Sequence, residues 1–206
     1  VTMRAPWESR RAGDAQPHRR SIPPEYFEER YAASADPWRL AERWYEQRKY
    51  ALTLASLPRP RYASCYEPAC SIGELTLRLA ERCDRLLAVD ATAAAVATAA
   101  ARTAHLPHVR VERAALPDDL PDQTFDLVVL SEFLYYFALP DLERVVEGVV
   151  DRLRPGGHLV CVHHRSASAE RWDGFNTHQA VVEKAGLARL AHHDDVEFVL
   201  DVLEAP

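Results

Sequence analysis

The sequence has no apolar run of the ~18 residues needed to cross a bilayer, and no apolar segment of the secretory type near its first residues. Neither a membrane span nor a signal peptide is expected. It has no CxxC pair: Cys65, Cys70, Cys83 and Cys161 are scattered, three of them in or beside apolar segments, so reduced thiols in a cytoplasmic protein are expected. No HExxH pattern with supporting acids accompanies the histidines, and no metal is expected. Basic charge is in deficit, with 25 Lys and Arg against 31 Asp and Glu and a net charge of −6. That balance excludes a broad electrostatic grip on nucleic acid, and the NPPY-type strand end used to methylate base amines is missing too. Glycine is sparse at seven residues.

What is present is a chain of 206 residues, 48% of them hydrophobic, enough for one α/β domain with a sizeable core. Residues 1–24 are rich in Arg, Pro and Ala without apolar periodicity and read as a flexible tail; residues 25–206 read as a single domain. That domain opens with a helical segment over 25–57, with two helices expected. The second is placed near Asp36-Pro37, where the Asp caps and the Pro occupies the first turn. Trp38, Ala41, Trp44, Tyr45, Lys49 and Leu52 recur at helical spacing, an aromatic face that must pack on the sheet or a ligand. Lys49 is expected at the surface.

Beyond Pro60, strand-like runs at Tyr62–Tyr66, Leu86–Val89, Val109–Val111, Phe125–Leu130 and Leu159–Val162 alternate with helical stretches. The helices are expected at about Glu74–Arg82, Ala93–Thr103, Pro140–Leu153 and Thr177–Ala185. The alternation predicts a mostly parallel sheet with helices on both faces. Two last runs, Ala188–His192 and Phe198–Leu203, are separated too closely for a parallel crossover and predict an antiparallel hairpin at the sheet edge.

The most informative segment is CYEPACSIGELTLRLAERCDRLLAVD, from Cys65 to Asp90. A strand runs into EPACSIG and a helix begins at or just after Gly73. In open α/β sheets, ligands bind beyond the carboxyl ends of the strands. The small residues Ala69, Ser71 and Gly73 let the backbone approach a cofactor closely. Asp90 ends the next strand and is placed to accept ribose hydroxyls or, alternatively, to cap the Ala-rich helix. Glu67 would repel a pyrophosphate and stabilise a cationic amine, or else cap the loop. S-adenosylmethionine carries an ammonium and a sulfonium and no phosphate, so it is the expected cofactor.

EPACSIGELTLRLAERCDRLLAVD resembles the first two cofactor motifs of class I S-adenosylmethionine-dependent methyltransferases. With WYEQRKYALTLASLP and FDLVVLSEFLYYF, the chain from about Phe27 to Leu203 resembles the NodS-like (nodulation protein S) family. The resemblance implies a Rossmann-like, seven-stranded fold and S-adenosylmethionine as cofactor. The founding activity of the family is N-methylation of a glucosamine amine in a lipo-oligosaccharide precursor. By resemblance, Glu67, Ala69, Ser71 and Gly73 line the methionine side and Asp90 holds the ribose. Cys70 and Ala91, beside them, are counted with the cofactor residues. The family's usual EPGCSIG is EPACSIG here, so Ala69 stands where a glycine with φ > 0 is expected. After the third strand, where the superfamily often has a polar side chain for the adenine amine, this chain has Ala114, Ala115 and Leu116. Backbone and apolar contact with the adenine are expected instead, with Asp118 and Asp119 solubilising the loop.

FDLVVLSEFLYYF is apolar until Ser131 and Glu132 arrive on the cofactor side; Ser131 is counted with the cofactor residues. Methyl transfer requires a nucleophile aligned with the methyl group and a place for its proton. Glu132 is expected to orient an amine and take that proton, with Tyr135 and Tyr136 packing the acceptor and Phe137 sealing the pocket. HLVCVHHR ends at His163 and His164. The family tends to carry a histidine at this strand end, which implies His163 as a second catalytic residue. His164, where relatives commonly carry tryptophan, and His178 are expected in the acceptor pocket. The resemblance makes WYEQRKYALTLASLP a lid, with Trp44 and Tyr45 covering the site and Arg48 reaching the cofactor carboxylate. The expected function is N-methylation of an amino sugar or related metabolite, by a monomer or homodimer with no nucleic-acid or membrane partner. The alternatives are an O- or C-methyltransferase of a natural-product pathway and a non-catalytic interaction domain.

Overall fold

A computed structural model describes residues 20–168 and 172–206. Most of the expected tail, residues 1–19, lies outside the described residues. Its last part is docked: Ile22 N–H donates to Tyr136 O at 2.9 Å, and Ser21 Oγ accepts from Ala138 N–H at 2.9 Å.

Seven strands make one sheet: β1 (Cys65–Pro68), β2 (Leu86–Asp90), β3 (Val109–Arg113), β4 (Phe125–Ser131), β5 (Leu153–His164), β6 (Ala188–Asp194) and β7 (Phe198–Glu204). Their order is β3-β2-β1-β4-β5-β7-β6. The first five strands are mutually parallel, while β7 is antiparallel to both β5 and β6. The expected hairpin is therefore present, but it is folded inward: β7 lies inside the sheet and β6 forms the edge. Burial explains the order. β7 is buried along nearly its whole length, whereas β6 is mostly exposed, as the apolar FVLDVL and polar ARLAHHD runs require.

Helices α3 (Glu74–Ala80), α4 (Ala93–Thr103), α5 (Leu139–Val150) and α6 (Gly174–Ala185) connect and cover the strands. Side-chain alternation splits the core in two. Val128, Leu130, Leu159 and Cys161 pack on one face with Leu142, Val145, Val146 and Val181 of α5 and α6. Leu127, Val129, Val160 and Val162 pack on the other with Leu75 and Leu79 of α3. Both faces being covered, the central strands are apolar over most of their length. The Pro155-Gly156-Gly157 turn is a bulge within β5, with Gly156 at φ +67° and a register shift against β4.

Two further helices precede the sheet, α1 (Pro24–Ala33) and α2 (Trp44–Ala55). The second starts at Trp44, eight residues beyond the expected Asp36. The Asp36 carboxylate does cap backbone donors, Leu40 N–H at 2.8 Å and Ala41 N–H at 3.0 Å, but what it caps is a turn. Arg39 at φ +58° and the extended Arg43 prevent that turn from continuing as helix. The loop holds Trp38 edge-on to Tyr31 of α1, with ring centroids 5.4 Å apart.

Candidate cofactor and acceptor site

The carboxyl ends of β1, β2 and β4 open onto a cavity of about 400 Å³, roofed by α1 and the start of α2. The loop after β1 is shaped by three left-handed residues, Ala69 (φ +56°), Ser71 (φ +52°) and Gly73 (φ +81°). Ala69 thus takes up the conformation expected of a glycine, at a cost of about 1–2 kcal/mol. Gly73 does not line the cavity as expected. A Cβ there would lie 3.1 Å from Ala99 Cα, so this glycine lets α3 and α4 approach each other. Ala69, Cys70 and Ser71 do line the cavity, and Tyr31 of α1 closes onto Ser71 through a hydroxyl–hydroxyl hydrogen bond.

Two acids stand at adjacent strand ends. Glu67 is 2% exposed and lines the cavity, and its Oε2 has no hydrogen-bond partner among the described residues. Burial pushes its carboxyl up to about 8. Asp90 is pushed up by burial as well, but less freely placed: Oδ2 accepts Ser71 N–H at 2.9 Å, and Oδ1 accepts both Thr92 N–H and Thr92 Oγ1–H at 2.9 Å. It therefore caps the approach to α4 and ties two loops together while its side chain still borders the cavity with Ala91. Ala114, Ala115 and Leu116 line a further wall, and Asp119 accepts Ala115 N–H at 2.9 Å, which fixes that loop.

At the end of β4, Ser131 lines the cavity and Glu132 turns left-handed at φ +61°, a strained conformation of the kind found at functional sites. Four donors converge on the Glu132 carboxylate. Oε1 accepts from Tyr45 Oη at 2.8 Å and Lys49 Nζ at 2.6 Å; Oε2 accepts from Tyr135 Oη at 2.5 Å and His164 N–H at 2.9 Å. Burial alone would raise this carboxyl, but the Lys49 charge and these donors hold it well below the usual carboxylate range. Glu132 is thus a permanent anion. A carboxylate so stabilised suits attracting a cation better than accepting a proton.

Lys49 was expected at the surface and is fully buried. Its ammonium sits between Glu132 and Glu46, whose Oε2 is 2.7 Å away. A lysine on an apolar helix face signals such a pair only once its partner, here 83 residues along the chain, is known. Other cavity-lining residues missed by sequence reasoning are Glu46, Phe27, Tyr31 and Trp38. Aromatic spacing points to Trp38 only as a packing face, and Glu46 carries no signal of its own.

Besides Gly73, four expected site residues stand elsewhere. Arg48 points away from the cavity and makes a two-pronged pair with Asp195 in the β6–β7 turn, at 2.9 and 2.5 Å. Trp44 is 75% exposed at the first turn of α2, where no wall meets it. His163 lies beneath the cavity floor, fully buried, with Nε2 accepting Leu134 N–H at 3.2 Å. His178 is buried behind it, 2.6 Å from Asp201 and 3.2 Å from His163 Nδ1. Tyr45, Tyr135, Tyr136 and His164 do line the cavity.

Cys161, His163 and His178 bring three ligand-type atoms within 4.8 Å of one another. Because Leu134 N–H occupies Nε2 of His163, the ring proton belongs on Nδ1, the atom a metal would need. The cluster is better described as a hydrogen-bond chain from the Leu134 backbone through both imidazoles to Asp201.

A seven-stranded sheet with one reversed strand next to its edge, and acidic residues at the ends of the first two strands, defines the class I S-adenosylmethionine-dependent methyltransferase fold. The family model described as Nodulation protein S (NodS) matches residues 25–194, and the chain belongs to that family. Nodulation protein S of Rhizobium tropici is 30% identical over 155 residues, covering 74% of this chain and 65% of that protein. The Sinorhizobium fredii protein is 32% identical over 145 residues, covering 69% of this chain and 67% of its own length. The chain thus spans about two thirds of the curated relatives it matches. Among solved structures, a candidate methyltransferase from Pseudomonas syringae is 41% identical with a TM-score of 0.72, covering 79% of this chain and 99% of that one. The N-methyltransferase NodS from Bradyrhizobium japonicum, in complex with S-adenosyl-L-homocysteine, has a TM-score of 0.76 at 24% identity, covering 88% and 97%.

Proposed function

We propose that the protein is an S-adenosylmethionine-dependent N-methyltransferase whose acceptor is the amine of an amino sugar or a related small metabolite. The charge of the cavity carries this reading. Glu46, Glu67, Asp90 and Glu132 are carboxylates lining it, while Lys49 is the buried ammonium among the described lining residues. Against these acids stand Lys49 and the Arg43 guanidinium, and the acidic excess favours a ligand that brings positive charge over a pyrophosphate cofactor, and an amine acceptor over a hydroxyl or carbon. The bound cofactor supplies an electrophilic methyl group on a sulfonium. Glu67, with an unsatisfied oxygen, suits its ammonium; Asp90 suits the ribose hydroxyls; Ala114 to Leu116 suit the adenine face. Glu132 keeps its negative charge and attracts the acceptor ammonium, while Tyr45 and Tyr135, bonded to it, fix the walls. Membership of the family supports the same activity and acceptor class.

Residues 25–57 serve as the lid of one domain spanning 25–206, since Phe27, Tyr31, Trp38 and Tyr45 all roof the cavity. Four buried, unpaired cysteines support a reducing, cytoplasmic setting. The test is calorimetry with S-adenosylhomocysteine, followed by mass spectrometry of a fully de-N-acetylated chitotetraose incubated with S-adenosylmethionine. Binding and an N-linked methyl group are expected. No binding at millimolar cofactor would favour a non-catalytic domain, and a methyl group on oxygen would overturn the amine assignment.

A further inference from the structure

Lys49 Nζ bridges two carboxylates of opposite character. Glu132 Oε1 lies 2.6 Å away and Glu46 Oε2 lies 2.7 Å away. Glu132 is saturated by four donors. Glu46 is 5% exposed, lines the same cavity, and has two donors on it, Lys49 and Tyr50. Two acids and one ammonium leave a surplus negative charge in a buried cluster, and a proton neutralises it most easily on the acid with fewer donors. Pairs of carboxylates whose surroundings drive them apart in this way mark a division of labour.

We propose that Glu46 is the proton acceptor for the methylated amine, and that Lys49 and Glu132 position it. This rests on the N-methyltransferase reading. In the step, the acceptor ammonium gives one proton to the Glu46 carboxylate and becomes a neutral amine. Its lone pair forms the bond to the methyl carbon as the sulfur–carbon bond breaks, and that electron pair remains on sulfur as a neutral thioether. The product is a methylammonium, and Glu46 later releases its proton to water. The charged and titratable groups around Glu46 are consistent with such a base. Lys49 and Tyr50 share its helix, Glu132 faces it from the end of β4, and Tyr50 in turn has Glu67 of β1 nearby and Arg78 of α3 across its ring. Burial pushes the Glu46 carboxyl up, and Glu132 adds to this, against the opposing pull of Lys49.

The test measures kcat against pH for chitotetraose methylation in the parent and in Glu46→Gln, Glu46→Asp and Glu132→Gln. Without its base, the enzyme can use only amine that is already neutral. Glu46→Gln should therefore lose at least about tenfold in kcat near pH 7 and recover as pH approaches 9.5. Glu46→Asp should show a smaller deficit, and Glu132→Gln no such recovery. Cofactor affinity of Glu46→Gln, read by calorimetry, should stay within about twofold of the parent, which also reports that it folds. A carboxyl-carbon NMR titration of the unmutated protein needs no turnover: Glu46 should take up its proton at higher pH than Glu132. A deficit equal at every pH, or Glu46 ionised as far down as Glu132, overturns the proposal. Failure of the unmutated protein to bind S-adenosylhomocysteine overturns the methyltransferase reading instead.

Discussion

Glu67 combines an unsatisfied oxygen with a carboxyl raised to about 8, so it couples ligand binding to protons. Its ordinary value is 4.5, so without ligand its stabilising contribution is full below about 4.5 and is lost as pH rises to about 8. An ammonium placed beside it favours the ionised form. Binding of S-adenosylmethionine near pH 6.5 should therefore release about one proton, and affinity should rise with pH toward about 8. Calorimetry in buffers of different ionisation enthalpy reads this directly, and proton uptake would contradict it. Glu132 makes the opposite case. Glu132→Gln forces an amide NH₂ against one of four donors and weakens the tie to Lys49, so a stability loss of about 3 kcal/mol is expected in urea unfolding. Both acids were legible in the sequence because each is the charge at the carboxyl end of an apolar strand. The role of Lys49 was not, because periodicity gives a residue's face and not the partner waiting there.

At the scale of elements, the strands were legible because burial on both faces demands nearly continuous apolar runs such as LVVL, Leu127–Leu130. The start of α2 was not. Asp36-Pro37 has the same chemistry whether it opens a helix or a turn, and the left-handed Arg39 decides between them. That eight-residue displacement moved Trp44 from the middle of an expected lid helix to its exposed first turn, and sent Arg48 toward the β6–β7 turn. Trp44→Ala and Arg48→Ala should each leave cofactor affinity within about twofold of the parent. Arg48→Ala should instead speed hydrogen exchange of amides around Asp195, whose carboxylate holds α2 against the hairpin. A large loss of cofactor affinity in either variant would restore the lid role that these positions lack in the fold.

On the scale of the whole molecule, the cavity joins pieces far apart in sequence, from Ile22 to His164. A ligand that touches so many elements stabilises all of them together. S-adenosylhomocysteine at about a hundredfold excess over its Kd should add about 2.7 kcal/mol and raise Tm by roughly 5–10 °C, while NAD should leave it unchanged. Differential scanning fluorimetry checks both. An equal shift with NAD would reject the charge argument for the cavity.

The inward position of β7 has a consequence for damaged or incomplete chains. Its seven residues cover the full edge of β5 from His158 to His164, and nearly all are buried. A chain that stops before Phe198 would leave β5 as a bare sheet edge, where Leu159 to Val162 present open backbone and apolar side chains to any strand that passes. Such a fragment should not survive as a weakened enzyme. It should pair with its own kind and sediment as aggregate, sparing the cell a soluble half-built competitor for cofactor.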